Sequence, residues 1–200
     1  MKIPIHETFQ STIQGEGYWA GLPVDFIRLA GCPVGCYFCD TGYAANSTPI
    51  KGLIMSFEDI LAELKTSNVV ISGGEPFIHK ELPALVLQLL DRGYRVAIET
   101  SGSFWQEIDD RAWVTLSPKE HLNSKYPVID LFWRRCNEVK IVISSGTELD
   151  FYQDKIVTPN VFLQMEWDKR AELMEIMLSL LQRNPSYRLS VQLHKLLNLP

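Results

Sequence analysis

Three cysteines, Cys32, Cys36 and Cys39, stand within eight residues, directly after the apolar run Val24 to Ala30. Clustered thiolates are ligands for soft metals. An electron-transfer cluster takes four of them, so a 4Fe-4S cube held by three keeps one iron open to bind and activate a small molecule. The alternative is a structural zinc site, which needs a fourth donor in closed tetrahedral geometry. His6, His79, His121 and Cys136 are candidates, and none stands at the short paired spacing of a zinc knuckle. A disulfide fits less well. The clustered cysteines are odd in number and no secretory signal is evident, so the chain reads as a reduced, cytoplasmic protein. Cys136, between Arg135 and Asn137, reads as a bystander.

A second feature is Ser72-Gly73-Gly74-Glu75-Pro76. Two adjacent glycines carry no β-carbon, so a ligand can approach their backbone; the plainer reading is a tight strand-to-helix turn. A third is Gln14, followed by Gly15 and Gly17. Its amide carries both donor and acceptor and suits the amide-like edge of a flat heterocycle, although a solvated glycine-rich loop has the same composition. Arg28 alternates with Ile27 and Leu29, so it points to solvent or into an interior. An inward guanidinium requires an anion, either a ligand carboxylate or a structural salt-bridge partner.

The elements that must hold these residues alternate between β-rich and helical segments, the pattern of α/β packing on a mostly parallel sheet. Strands are expected at Val24–Ala30, Asn68–Ser72, Arg95–Glu99, Trp113–Leu116, Glu138–Ile143, Val161–Gln164 and Arg188–Gln192. Helices are expected from Ser56, in capping-box style, to Lys65, from Leu82 to Arg92 before Gly93, and from Asp168 to Arg183 before Pro185. Six or so βα repeats fit an incomplete TIM-like barrel, since a full barrel takes about 250 residues. Its chemistry belongs at the carboxyl ends of the strands, where the marked residues fall. With 200 residues and 46% hydrophobic content, residues 1–200 are read as one domain. A formal charge of −5 argues against a nucleic-acid-holding protein, and no apolar run approaches the ~20 residues of a membrane span.

Cys32-x3-Cys36-x2-Cys39 with Phe38 before the last cysteine, followed after the next strand by Gly-Gly-Glu-Pro, resembles the radical S-adenosylmethionine superfamily. That resemblance implies a 4Fe-4S cluster on the three cysteines, S-adenosyl-L-methionine (SAM) chelated at the open iron, and its reductive cleavage to a 5′-deoxyadenosyl radical. Further segments extend the likeness: Glu7 to Gly17, Phe26 to Cys32, Cys39-Asp40-Thr41, Glu99 to Gly102, Ser117-Pro118-Lys119 and Gln192 to Pro200. Together they resemble the 7-carboxy-7-deazaguanine synthases over essentially the whole chain. The implied reaction is radical ring contraction of 6-carboxy-5,6,7,8-tetrahydropterin to 7-carboxy-7-deazaguanine with loss of ammonia, a step towards queuosine and other deazapurines.

By the same resemblance Ile13, Gln14, Gly15, Arg28, Ser72 and the carboxylate of Pro200 meet the substrate. Gly74, Ser101, Ser117, Pro118, Lys119 and the stretch Gln164, Met165, Glu166, Trp167 meet the cofactor. In that stretch Met165 stands where the family usually has proline and Trp167 where a smaller polar residue is common. Glu99, ending a strand, suits a ribose or methionyl amine, or a structural cap. Thr41 matches a Mg2+ ligand, with water and substrate oxygens completing the shell and Asp40 a rival donor. His194 and Lys195 suit acid–base steps or the anchoring of the tail. An electron donor such as flavodoxin or ferredoxin, and a homodimer, are also implied. Two other readings share parts of the pattern: a radical SAM activase acting on a partner protein, and a non-enzymatic zinc-binding domain.

Overall fold

A computed structural model describes residues 2–42 and 52–200. Nine strands form one sheet in the order β3-β1-β2-β4-β5-β6-β7-β8-β9. These are β1 (Lys2–Ile13), β2 (Pro23–Leu29), β3 (Leu53–Ser56), β4 (Asn68–Gly73), β5 (Arg95–Thr100), β6 (Trp113–Leu116), β7 (Glu138–Ile143), β8 (Val161–Met165) and β9 (Arg188–Ser190). From β2 to β9 every pairing is parallel. Strand β1 runs antiparallel to both β2 and β3. Among the described residues no ladder joins β3 to β9, so the barrel is open.

Strands β1 and β3 lie outside the sequence expectation. The alternation in β1 is broken by two register shifts against β2, which blurs its period of two, and β3 is only four residues long. The irregular part of β1 is held by Asp25, fully buried, whose carboxylate accepts from the backbone N–H of Ser11 at 2.8 Å and of Lys65 and Thr66 at 2.6 Å each.

The helices are α1 (Phe57–Glu63), α2 (Leu82–Asp91), α3 (Asp130–Arg135), α4 (Glu148–Tyr152), α5 (Arg170–Arg183) and α6 (Leu193–Leu197). In α1 the expected capping box is present: Asp59 N–H donates to Ser56 Oγ at 3.2 Å and Ser56 N–H to Asp59 Oδ2 at 2.9 Å. Helix α2 buries Leu82, Leu85, Val86 and Leu89 and is followed by Gly93 at φ +87°. Helix α5 begins at Arg170, two residues later than expected, because Trp167–Lys169 form a 3-10 turn. Helices α3, α4 and α6 have five or six residues each, too short for a helical period to show.

Strand alternation divides the side chains between two environments. Ile27, Leu29, Ile71, Ile98, Val114, Leu116, Ile141 and Leu163 face outward into the core shared with the helices. Each fully buried side chain of this kind contributes about 1.5–3 kcal/mol. The concave face begins at an apolar floor of Trp19, Val24, Val70 and Ala97, with Phe26 and Trp113 against it. Above the floor it turns polar. The parallel register sets Arg28 beside Ser72, carries a row from Glu99 through Thr115 to Glu138, and sets Gln164 beside Ser190.

Candidate active site

One cleft opens at the carboxyl ends of the strands, and Cys32, Cys36 and Cys39 all line it. The cysteine loop leaves β2 through Gly31 at φ +94°, a backbone conformation that favours glycine. Burial pushes the Cys32 thiol up to about 11 and raises Cys36 as well, the latter offset by the nearby Lys119 cation. Bare thiols here hold their protons, and a metal must displace them on binding. Among the described residues no three metal-ligating side chains already converge as a cage. Three soft sulfur donors on one loop, all opening onto one cleft, nonetheless suit an iron–sulfur cluster with one open iron, and by themselves are one donor short of a closed zinc site.

The Gly73-Gly74 turn packs against this loop. A β-carbon on Gly74 would lie 1.8 Å from the carbonyl oxygen of Gly31, and one on Gly73, at φ +138°, 2.2 Å from that of Leu29. Gly74 N–H donates to Leu29 O at 3.0 Å and Glu75 N–H to Gly31 O at 2.9 Å. The glycines therefore serve first to let two backbones touch, which is closer to the turn reading than to direct ligand approach. Glu75, 2% exposed, accepts from Thr100 Oγ at 2.7 Å, Ser101 N–H at 2.8 Å, Ser101 Oγ at 2.5 Å and Phe77 N–H at 3.1 Å. It bolts the turn to the end of β5.

Phe9, Phe26 and Arg28 also line the cleft; Phe9 and Phe26 stack with ring centres 4.7 Å apart, and the Arg28 guanidinium lies 5.2 Å from the Phe9 ring. Arg28 Nη1 pairs with Glu7 at 3.1 Å, while its Nε is buried without a partner. The Glu7 pair is the structural salt bridge of the sequence reading, and it leaves the Nε donor unused. Deeper in the cleft, Lys140 Nζ lies against Glu16 Oε2 and 2.9 Å from Glu99 Oε2. Burial works against the charges of Glu16 and Lys140, but their mutual attraction prevails, holding Glu16 at about 2 and raising Lys140. Gln14 Nε2 donates to Glu99 Oε1 at 3.2 Å, and Gln192 Nε2 to Glu16 Oε1 at 2.8 Å.

The radical SAM superfamily model matches residues 26–113. The chain is 34% identical over its full length to the full-length 7-carboxy-7-deazaguanine synthase of Escherichia coli (strain K12). It is 35% identical to that of Synechocystis, with 98% of this chain and 93% of the relative covered. The crystal structure of QueE from Escherichia coli superposes with a TM-score of 0.79 at 35% identity, covering 96% of this chain and 94% of that one. The chain belongs to the 7-carboxy-7-deazaguanine synthase family.

Most residues that the family resemblance singles out line the one cleft: Ile13, Gln14, Gly15, Arg28, Ser72 and Pro200 with Thr41, and Gly74, Glu99, Ser101, Ser117 and Lys119 with Gln164 to Trp167. Pro118 is buried beside them. Several environments differ from the expectation. A β-carbon on Gly15 would meet His194 Nδ1 at 2.5 Å, and one on Gly17 would meet Glu138 Oε1 at 2.1 Å, so those glycines make room for this chain's own side chains. Glu99 faces Gln14 and Lys140 and joins the wall built around Gln14. Gln164 is buried and accepts from Ser190 Oγ at 2.8 Å. Glu166 accepts from the Tyr37 hydroxyl of the cysteine loop at 2.6 Å and from Lys169 at 3.1 Å. Lys119 Nζ donates to Ser117 Oγ at 2.6 Å and to the Ser117 carbonyl at 2.8 Å.

Asp40 is paired with Lys195 at 3.4 Å, and burial lowers the pKa of His194. Cys136 is a buried bystander, 7% exposed, with its thiol 3.9 Å from the Trp133 carbonyl. Sequence reasoning assigned no role to Glu16, Lys140 or Gln192. The signal for Lys140 was present as Glu138-Val139-Lys140 within an otherwise apolar strand, which puts two charged side chains on one face of a buried element.

Proposed function

We infer that the enzyme makes 7-carboxy-7-deazaguanine from 6-carboxy-5,6,7,8-tetrahydropterin, with loss of ammonia. The observation that carries this reading is that the cysteine loop, Gln14 and Arg28 all line one cleft, in a chain aligned end to end with synthases of that product. Cys32, Cys36 and Cys39 would hold a 4Fe-4S cluster, which together with SAM would supply one-electron, hydrogen-abstracting chemistry. Glycines 73 and 74 and the Glu75 bolt hold the loop that presents it.

Arg28, which lines the cleft, binds the substrate carboxylate, and Phe9 and Phe26 give the ring a dry wall. Gln14 and the backbone at Ile13 and Gly15 meet the amide edge, with Ser72 beside Arg28 and Pro200 closing the cleft from the α6 side. Gly74, Ser101, Ser117 to Lys119 and Gln164 to Trp167 form the cofactor side. Thr41 offers its hydroxyl to Mg2+, with water and substrate oxygens supplying the other ligands. Asp40 is engaged with Lys195, which favours Thr41 as the donor.

The cluster requires an external one-electron donor of the flavodoxin or ferredoxin kind, and its thiols suit a reducing cytoplasm. No helix among the described residues is long and apolar enough to cross a membrane. A homodimer would cover an open sheet edge that carries exposed apolar side chains, Leu189 on β9 or Leu53 and Ile54 on β3.

The test is anaerobic incubation of the reconstituted protein with SAM, Mg2+, reductant and the carboxytetrahydropterin, with both products followed by mass spectrometry. Formation of carboxydeazaguanine is the expected result. Accumulation of 5′-deoxyadenosine alone would leave the radical chemistry standing and remove the substrate.

A further inference from the structure

A glutamine amide can be turned over at little cost unless its neighbours forbid it, because its oxygen and nitrogen have the same shape and opposite hydrogen-bonding character. Gln14 has such neighbours on both sides. Its Nε2 donates to Glu99 Oε1 at 3.2 Å, and its Oε1 accepts from the backbone N–H of Glu16 at 3.3 Å. A carboxylate only accepts and a backbone N–H only donates, so turning the amide over would set oxygen against oxygen and N–H against N–H. Gln14 is 5% exposed, and water cannot compensate those two losses.

Both neighbours are held by one cation. Lys140, also 5% exposed, bridges the Glu16 and Glu99 carboxylates, and Gln192 fixes the other oxygen of Glu16. With its orientation set, Gln14 keeps one N–H and one oxygen lone pair for a ligand in the cleft, in a fixed order.

We propose that Lys140 is a specificity-positioning residue: by clamping Glu16 and Glu99 it locks the Gln14 amide in the orientation that accepts a 4-oxo pterin and rejects a 4-amino one. The proposal rests on the pterin reading above. A 4-oxo pterin presents a ring N–H beside a carbonyl oxygen, which pairs with an amide in one orientation. A 2,4-diaminopteridine presents a ring nitrogen acceptor beside an amino donor, which needs the amide reversed. A locked amide leaves both of those groups mispaired, and such a mismatch in a buried site costs about ten- to a hundredfold in affinity.

The experiment measures binding of pterin-6-carboxylate and of 2,4-diaminopteridine-6-carboxylate to the cluster-loaded protein with SAM, by quenching of pteridine fluorescence. Wild type is expected to prefer the 4-oxo compound by about tenfold or more. In Glu99→Gln the side-chain amide at position 99 pairs with Gln14 in either orientation, so only the Glu16 N–H still opposes reversal and the preference falls by about threefold or more. Lys140→Met is expected to lower it in the same way and Lys140→Arg to retain it. Should Lys140→Met not fold, Glu99→Gln, which keeps Lys140 paired with Glu16, decides the matter. A preference unchanged in the folded variants would overturn the lock, as would equal binding of both compounds by wild type. Binding of neither compound by wild type would instead overturn the pterin reading, and the lock with it.

Discussion

Replacing Glu138 with glutamine should stabilise the protein, and more so at high pH. The Glu138 side chain stands on the concave face near the floor, 2% exposed, and accepts from Tyr18 N–H at 3.1 Å and Trp113 Nε1 at 3.0 Å. Its Oε1 is buried without a partner. Burial, reinforced by the nearby Glu99 and opposed by Lys140, pushes its carboxyl from 4.5 up to about 7. Between those two values the folded chain binds more protons than the unfolded one, so stability falls as pH rises through the window and levels off above it. The gap of about two and a half pH units, at about 1.4 kcal/mol each, amounts to roughly 3 kcal/mol.

Glutamine keeps an acceptor for Tyr18 and Trp113 and carries no charge. Glu138→Gln should therefore match wild type near pH ~5 and exceed it by up to roughly 3 kcal/mol near pH ~8. At about 2–4 °C per kcal/mol for a chain of this size, that is a gain in Tm of several degrees appearing only at the higher pH. Thermal unfolding followed by tryptophan fluorescence across the range reads it directly. A Tm difference that does not change between the two ends would refute the buried-charge argument.

Gly74→Ala should cost the protein its cluster, because the added carbon lands 1.8 Å from the Gly31 carbonyl and must push the cysteine loop away; iron content and visible absorbance after reconstitution measure it. Cys36→Ala should abolish that absorbance, whereas Cys136→Ala should retain it and lose only about 1 kcal/mol of stability from a lost buried sulfur. Arg28→Lys preserves the charge but not the two-pronged donor, so the KM for the pterin should rise by about tenfold while the cluster spectrum stays as in wild type.

What the sequence by itself determined was local. The cysteine spacing, the Gly-Gly-Glu-Pro turn and the alternation around Arg28 are carried by neighbours in the chain; the radical chemistry and most of the cleft lining came through the family that these motifs resemble, and the parallel α/β architecture from the alternation of strand and helix signals. The core strands β4 to β8 and helices α1 and α2 were legible for the same reason, since their apolar periods are unbroken and their ends carry turn or cap residues. Strand β1 was not, because its register shifts disturb the alternation and it is held in place by Asp25, a residue on another strand.

Only the tertiary structure decided what each polar residue touches. Gly15 and Gly17 gave the same signal as a ligand-hugging loop, yet the atoms they accommodate belong to His194 and Glu138, distant along the chain. Glu16, Glu99 and Lys140 lie on three separate segments, and no spacing rule relates them. Their meeting follows from the register and curvature of the sheet, which bring side chains from strands far apart in sequence into one low-dielectric space. There a charge must find its opposite, and that pairing fixes which face Gln14 shows to the cleft.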